Sequence, residues 1–321
     1  MADYYFKETT DLLLERQTPD GALTSTRRVN EGTLTNQGFE IALTTNNLNS
    51  EKFSWTTTLN YSFNRNKVKS LPDGDIFYGP YNGIMSDQPN VLREGKPVGA
   101  FWGYVYDGVF SDNNVVYTDI TSYPYLSNPL KPEGFARFKD INNDGKVDAN
   151  DRAVIGSPEA DFVFGFNNEV TYRNWDFKLF IQGVVGADVY NMTRYEIDNP
   201  NGNTNLSTRL LNRWTPDNRN TDVQGAGKTL NLSSSQYIEY GSFLKFRDIQ
   251  LGYSLPKVML NRANISRLRF YVSLQNYFTI TNYTGYDPEL SYSSGGSVSQ
   301  NLDLGVYPST RSFAFGIQLG L

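Results

Sequence analysis

Residues 162–184, "FVFGFNNEVTYRNWDFKLFIQGV", decide the fold class of this chain. In the second half of the stretch, apolar side chains alternate with polar ones: Trp175, Phe177, Leu179 and Ile181 oppose Asp176, Lys178 and Gln182. Such alternation places successive side chains on opposite faces of a β-strand. The turn residues "RNW" in the middle then predict a tight hairpin that joins strands 162–173 and 174–184.

The same alternation recurs along the chain. It predicts strands at residues 4–14, 37–46, 53–64, 99–111, 162–173, 174–184, 240–255, 267–280 and 311–321. Helical periodicity is nearly absent, and the one helix that we predict, near residues 204–214, lies in a loop. These patterns predict an all-β, antiparallel fold.

The lengths of the strands and connections favour a transmembrane β-barrel over a soluble sandwich. The predicted strands are about ten residues or longer, as a tilted membrane crossing needs, whereas globular strands average about 5–6 residues. Tight turns alternate with very long connections, at residues 65–98, 112–161, 185–236 and 281–308. Short turns at one end and long loops at the other are typical of outer-membrane barrels. The aromatic faces would then meet lipid, and the polar faces would line a wet or plugged lumen.

The composition limits the chemistry and the partners of the protein. With 29 basic and 34 acidic residues, the chain lacks the basic excess expected of a nucleic-acid-binding protein. It contains no Cys and no His, which removes thiolate nucleophiles, disulfides and the commonest general base. We therefore predict that the protein is not an enzyme. The carboxylates Asp287 and Glu289 of "GYDPEL" are interpreted as part of a turn.

The start of the chain, "MADYYFKETTDLLLERQTPDG", has neither the basic region nor the apolar region of a signal peptide. If the protein is exported, we expect its natural start to lie elsewhere.

A calcium-loop pattern, "DINNDGKVDAND", occupies residues 140–151. Its ligand positions hold Asp140, Asn142, Asp144, Lys146 (through the backbone carbonyl), Asp148 and Asp151. Gly145 permits the sharp turn, and Val147 supplies the buried aliphatic side chain. Asp151 stands where an EF-hand has a longer Glu, so we expect weaker binding. The pattern predicts a structural Ca²⁺ site, with Mg²⁺ as another possible ion and a metal-free loop of Asx turns as the alternative.

Two aromatic-rich loop segments, 75–83 and 121–129, are candidates for stacking on a sugar or a peptide. The candidate side chains are Tyr78, Tyr81, Tyr123 and Tyr125. Packing within the loops, or against a partner protein, is the alternative interpretation.

Several long segments resemble the C-terminal barrel of the SusC/RagA-type TonB-dependent transporters of Bacteroidota. They are "YIEYGSFLKFRDIQLGYSLP" (237–256), "LRFYVSLQNYFTITNYTGYDPEL" (268–290), "GVYPSTRSFAFGIQLGL" (305–321) and the region 138–191, which contains the calcium-like loop. The resemblance covers essentially the whole chain in order.

The resemblance implies a transmembrane barrel of about 22 strands in the outer membrane, around an N-terminal plug. This chain would be the C-terminal part of that barrel, and the plug and signal peptide would lie outside it. The family resemblance further implies a SusD-like lipoprotein lid, coupling to TonB through the plug, and import of oligosaccharides or oligopeptides. The remainder of the barrel would come from the same gene or from a second chain.

Two other interpretations remain open on the residues alone. A stand-alone small barrel could act as a pore or an adhesin, although a sheet with two open edges is not viable in lipid. A soluble, calcium-dependent carbohydrate-binding β-protein would explain the loop, but not the aromatic strand faces.

Overall fold

The alternating segments form β-strands in the computed structural model, which describes residues 1–18, 26–79, 85, 88–111, 132–199, 204–228, 232–260, 265–290 and 298–321. Within these residues the strands are, in chain order, β1 (Ala2–Thr10), β2 (Leu13–Gln17), β3 (Thr26–Asn30), β4 (Thr33–Asn49), β5 (Phe53–Ser70), β6 (Ile76–Tyr78), β7 (Asn90–Leu92), β8 (Ala100–Tyr104), β9 (Tyr106–Val109), β10 (Ala136–Phe138), β11 (Arg152–Gly156), β12 (Phe162–Tyr172), β13 (Trp175–Val185), β14 (Asp188–Tyr190), β15 (Ile238–Tyr240), β16 (Phe243–Ser254), β17 (Arg267–Thr281) and β18 (Ser312–Gly320).

Helical structure is short. The helices are α1 (Met192–Ile197) and α2 (Lys257–Leu260), with 3-10 turns at Ala149–Asp151, Thr208–Asn212 and Ser235–Tyr237. In the part of the chain that the structure describes, none of the helices has the length and apolarity needed to cross a membrane.

One large antiparallel sheet organises the described residues. Its eight strands follow the order β1-β4-β5-β12-β13-β16-β17-β18, so each strand pairs with the next sheet strand along the chain. At the stretch 162–184, β12 and β13 pair from Phe162 opposite Val185 to Tyr172 opposite Trp175. The two-residue turn between them includes Arg173 at a φ of 53°.

The connections at the two ends of the sheet differ in length. At one end, β4 joins β5 through residues 50–52, β12 joins β13 through 173–174, and β16 joins β17 through 255–266. At the other end lie the long connections 11–32, 71–161, 186–242 and 282–311. We call the described residues of these four connections the loop layer. This is the arrangement of short turns and long loops found in outer-membrane barrels.

The sheet is apolar on one face and polar on the other. In β18 the apolar row consists of Phe313, Phe315, Ile317 and Leu319, which are 57–67 % exposed. Leu43, Trp55, Trp175 and Leu251 extend this exposed apolar surface across the sheet. A water-soluble sheet buries its apolar face, whereas a barrel wall presents it to lipid. We call the apolar face the outer face and the polar face the inner face.

The predicted barrel strand 99–111 is wrong. These residues form β8 and β9, which belong to small sheets in the loop layer and not to the large sheet. All five residues of β8 are buried, and its neighbours are β11 and β7. A strand that is covered on both faces has apolar side chains on both of them. An apolar run of this kind therefore does not show whether the strand lies in the wall or in the loop layer.

Other strand boundaries also differ from the prediction. The predicted strand 4–14 divides into β1 and β2, and the predicted strand 240–255 divides into β15 and β16. The predicted strands 37–46 and 53–64 lengthen to 17 and 18 residues in β4 and β5. The extension of β5, residues 65–70, includes Arg65 and Asn66, which bind Asp161 and Glu159 of the loop layer, so alternation of apolar side chains does not mark it.

Hydrophobic cores lie within the loop layer. The largest cluster combines Met85, Phe101, Tyr190, Met192, Tyr195, Tyr237 and Leu302, which come from three different long connections. A second cluster, of Tyr104, Phe110, Ala136, Phe138 and Val147, lies within the connection 71–161. A third joins the end of β5 to this connection through Val68, Leu71, Ile76 and Leu92. The loop layer is therefore a packed structure that rests on the end of the sheet.

A substitution at Gly103 can test how closely the loop layer is packed. A Cβ atom at this position would lie 2.4 Å from the backbone oxygen of Ser233. We expect Gly103→Ala to destabilise the layer by about 1–3 kcal/mol, because backbone must move to relieve the contact. Hydrogen–deuterium exchange of residues 100–109 would measure the loss of protection.

Gly165→Ala is the matched control, since the nearest atom to its added Cβ is a Phe180 ring carbon at 3.3 Å. Equal loss of protection in the two variants would contradict close packing of β8 against Ser233.

Candidate functional site

The inner face of the sheet is the first candidate surface. Near one edge, Asp3, Glu40, Asn60, Ser62 and Gln182 help to line an open cavity of about 470 Å³. Hydroxyl, amide and carboxylate groups that face a wide space suit contact with water, a polar solute or another polar protein segment.

Charged side chains on the inner face bind one another across strands. Arg269 of β17 is 5 % exposed and donates from Nε to Asp176 of β13 at 2.8 Å. Its Nη2 also donates to Gln250 of β16 at 2.9 Å, and its Nη1 to Gln318 of β18 at 3.3 Å. One guanidinium therefore links four neighbouring strands, which its several fixed donors allow.

A second charged cluster fastens the loop layer to the sheet. Lys245 of β16 is 1 % exposed, and its Nζ lies 3.0 Å from Asp287 Oδ1 and 2.8 Å from Glu289 Oε2. It also donates to the Ser309 hydroxyl at 3.2 Å. We call Lys245, Arg247, Asp287, Glu289 and Ser309 the Lys245 network. It holds two separate parts of the connection 282–311 against the inner face of β16.

Arg247 completes this network. It is ion-paired to Glu289 and donates to Gln182 at 2.7 Å and to Asn276 at 3.1 Å. The ladder between β16 and β17 shifts register between Phe246 and Asp248, so Arg247 falls at an irregular position. Because of this irregularity, Lys245 and Arg247 both reach the same carboxylates.

Hydrogen bonds from the nearby backbone also hold the Asp287 carboxylate in position. Asp287 Oδ1 accepts from the backbone N–H of Glu289 at 3.0 Å, which is the turn predicted for "GYDPEL". Its Oδ2 accepts from the Ser309 backbone N–H at 2.9 Å. Burial alone would raise the pKa of Asp287, but these hydrogen bonds, with that from Lys245, hold the pKa below its ordinary value. Hydrogen bonds from Lys245 and Arg247 likewise outweigh burial and lower the pKa of Glu289.

The loop at residues 140–151 is a series of side-chain-closed turns between β10 and β11. Asp140 accepts from the backbone N–H groups of Asn143, at 2.7 Å, and Gly145, at 2.8 Å. Gly145 adopts a φ of 81°, which favours glycine. The side chains of Asn142, Asp144 and Asp148 each accept from the backbone N–H two residues ahead. The oxygens predicted to bind a cation therefore also fix the loop conformation.

The side chain of Asp151 lies inside this loop and binds its backbone. It is fully buried, and it accepts from the backbone N–H groups of Ile141, at 2.9 Å, and Asp148, at 2.8 Å. Val147 is also fully buried, as the pattern requires. Over the described ranges, no three Asp or Glu side chains converge closely enough to hold an ion. Calcium binding at Asp140, Asn142, Asp144, Lys146, Asp148 and Asp151 therefore stays a prediction.

Tyr78 lies in the loop layer, where it packs against the cluster formed by Val68 and its neighbours. Burial raises the pKa of its hydroxyl, while the nearby Arg16 opposes that shift. Its ring is therefore part of a core and offers little free surface for a ligand. Tyr81, Tyr123 and Tyr125 lie outside the described residues.

Sequence reasoning missed Lys245 and Arg269. Each lies in a segment of clear alternation, but the partners of each are 19 or more residues away on other strands or loops: Asp176, Gln250, Gln318, Asp287, Glu289 and Ser309. A basic residue on the polar side of a predicted barrel strand was the available signal.

Comparison with known proteins identifies relatives over almost the whole chain, although no protein-family model matches it. The chain is 36 % identical, over 99 % of its length, to TonB-dependent receptor P3 of Formosa agariphila. It is 26 % identical, again over 99 % of its length, to TonB-dependent receptor SusC of Bacteroides thetaiotaomicron. It spans 32 % and 29 % of the lengths of these two proteins, or about a third. These relatives confirm the resemblance inferred from the sequence.

The solved structures agree on the fold. The RagAB peptide transporter superposes on 100 % of this chain with a TM-score of 0.78, at 23 % identity, and the chain covers 33 % of that protein. The sheet is therefore part of a larger barrel wall. By name, these proteins are receptors and a transporter and not enzymes.

Replacing Lys245 tests whether its network holds the loop layer in place. We expect Lys245→Met to destabilise the attachment of residues 282–290 by about 3–5 kcal/mol, because Asp287 and Glu289 lose their buried partner. Hydrogen–deuterium exchange of this segment in the detergent-solubilised full-length protein would measure the change.

The depressed pKa values of Asp287 and Glu289 add stability that is present at neutral pH, so acid should release the segment only below about pH 4.

Lys178→Met is the matched control, since Lys178 and Glu169 form an ion pair in which both side chains are about half exposed. We expect that change to cost less than about 1 kcal/mol. If both lysine variants exchange alike, the Lys245 network does not anchor the loop layer.

The predicted calcium site has its own test. The variant that combines Asp140→Ala and Asp144→Ala should abolish calorimetric Ca²⁺ binding and leave the barrel assembled, because the loop is separate from the wall. Asn150→Ala, which changes the loop at a position outside the ligand pattern, should keep binding. Loss of the assembled barrel in the double variant would show instead that the loop supports the whole fold.

Proposed function

We propose, on the premise that this chain is related over nearly all of its length to the SusC/RagA-type TonB-dependent transporters, that the complete protein imports oligosaccharides or oligopeptides across the outer membrane. The observation that carries this proposal is the two-faced sheet. Its exposed outer face is apolar over several strands, and its inner face carries hydroxyl, amide and charged groups. A wall of this kind separates lipid from a polar passage.

The proposal includes further wall strands and a plug. The chain spans about a third of the length of the curated relatives it matches. In the described sheet, β1 and β18 each have one neighbour, so each has an edge that can pair with another strand. Pairing of these edges with the remainder of the barrel would satisfy their backbone groups in lipid. Energy would reach the passage from TonB through the plug.

A SusD-like surface lipoprotein is the proposed partner above the loop layer. Exposed apolar side chains are present there, including Leu211, Tyr240 and Tyr307, which are 83 %, 75 % and 84 % exposed. Exposed apolar groups on an otherwise packed layer favour contact with another protein. This partner would cover the mouth of the barrel and share recognition of the substrate.

Fractionation and co-purification test the proposal. We expect the full-length protein to remain in the outer-membrane fraction, to migrate as a heat-modifiable barrel, and to co-purify with a lipoprotein in mild detergent. Deleting its gene, or the gene for TonB, should abolish growth of the native bacterium on at least one glycan or peptide mixture, and the restored gene should rescue growth.

Recovery of the protein in the aqueous fraction would favour a soluble carbohydrate-binding protein instead. A heat-modifiable barrel that supports uptake without TonB would favour a passive pore.

A further inference from the structure

Two cavities meet at one exposed aromatic ring in the loop layer. One has a volume of about 600 Å³ and the other about 520 Å³, and both are bounded by Gly285 and Tyr286. Each volume falls within the usual range for small-molecule sites. Tyr286 is 71 % exposed, and among the described residues it has no hydrogen-bond or ring partner. We call the two cavities together the Tyr286 groove.

The first cavity is bounded by the buried carboxylate of Asp198. Asp198 is 9 % exposed, and its Oδ2 accepts from Arg194 at 3.1 Å and from Arg209 at 3.4 Å. Its Oδ1 is buried and no donor stands in hydrogen-bonding geometry with it, although the Ser207 hydroxyl lies close enough to help lower the pKa. Burial is the larger influence and raises the pKa of Asp198. Asp198 is therefore a desolvated, fixed polar group in the wall of this cavity.

Ion pairs hold the polar groups of this cavity in place. Arg194 also binds Glu239 at 3.1 Å, and Arg209 also binds Asp222 at 2.7 Å. Each guanidinium is therefore fixed by two carboxylates, one of which is Asp198. Fixed polar groups lose little conformational freedom when a ligand binds, which favours recognition by directional hydrogen bonds.

The second cavity reaches the inner face of the sheet. Lys245 of β16 and Thr279 of β17 contribute to its wall, beside Asp287. Arg311 also lines it, is exposed, and has no ion-pair or hydrogen-bond partner within the described residues. The groove thus runs from the loop layer to the mouth of the polar passage, with Tyr286 between its two halves.

We propose that the Tyr286 groove binds an oligosaccharide, with one sugar ring against the face of Tyr286 and hydroxyl groups directed into the cavities on either side. A sugar ring has an apolar C–H face and a rim of hydroxyls, so it matches an open aromatic ring flanked by fixed polar side chains. This inference rests on the proposed transport function and selects its substrate class.

The side-chain chemistry favours a glycan over a peptide. Ile197 is the only aliphatic side chain besides proline among the described residues that line the two cavities. Peptide recognition usually adds apolar pockets for side chains, which this lining does not provide. The related RagAB structure is that of a peptide transporter, so a peptide is the competing occupant in the test.

The test uses the full-length protein with its co-purifying partner, on a printed array of oligosaccharides and, in parallel, on a pool of random-sequence peptides. The best array glycan is then titrated by calorimetry. We expect Tyr286→Ala to weaken glycan binding by about tenfold or more, because the stacking surface is lost, and Tyr286→Phe to bind nearly as the wild type does.

Tyr172→Ala is the control, because Tyr172 is also an exposed tyrosine, lines neither cavity, and lies beside the β12–β13 turn at the end of the sheet away from the loop layer. Unchanged glycan binding in Tyr286→Ala would overturn the proposal, as would binding of peptides alone or of no array glycan. TonB-dependent uptake of a peptide without glycan binding would refute the groove assignment and leave the transport function standing. Glycan binding by a protein that supports no uptake would refute the transport function and leave the groove assignment standing.

Discussion

Backbone groups in hydrocarbon have to be hydrogen-bonded to one another, and the rest of the structure depends on this requirement. Lipid offers no partner for an N–H or a C=O, so a sheet can cross a membrane only when its strands have neighbours on both sides. The antiparallel ladder from β1 to β18 meets this requirement inside the sheet. In the proposed barrel, the outer edges of β1 and β18 would meet it by pairing with further strands. The same ladder fixes which side chains face outwards and which face the passage.

The loop layer obeys a different rule. It is stabilised as soluble domains are, by hydrophobic clusters, short strands and ion pairs. A tilted crossing needs about ten residues, whereas β4 and β5 have 17 and 18, so both strands extend from one environment into the other. Val68, near the end of β5, is fully buried in a loop cluster, while Phe63 lies on the outer face. The Lys245 network adds a polar connection between the two parts.

Alternation predicts the wall well because a pleated strand with one side in lipid repeats its pattern every second residue. The hairpin of β12 and β13 and the last strand, β18, lie close to their predicted positions for this reason. It fails for β8, which is buried on both faces, and for the polar extensions of β4 and β5. The calcium-like pattern correctly predicted a tight loop with a glycine at a positive φ and a buried Val147. The Lys245 network and the Tyr286 groove depend on contacts between distant segments, which no local pattern contains.

The shared core of the loop layer has a consequence for how such proteins diversify. Phe101, Tyr190 and Leu302 belong to three different connections, yet they pack in one cluster. Exchanging a single loop between relatives by recombination would bring a foreign side chain into that cluster and leave gaps or clashes, which are costly in a close-packed interior. Transplanting all the loops together would carry a complete core onto an unchanged wall. The unit that relatives can exchange is then the whole loop layer, and the sheet beneath it can stay unchanged.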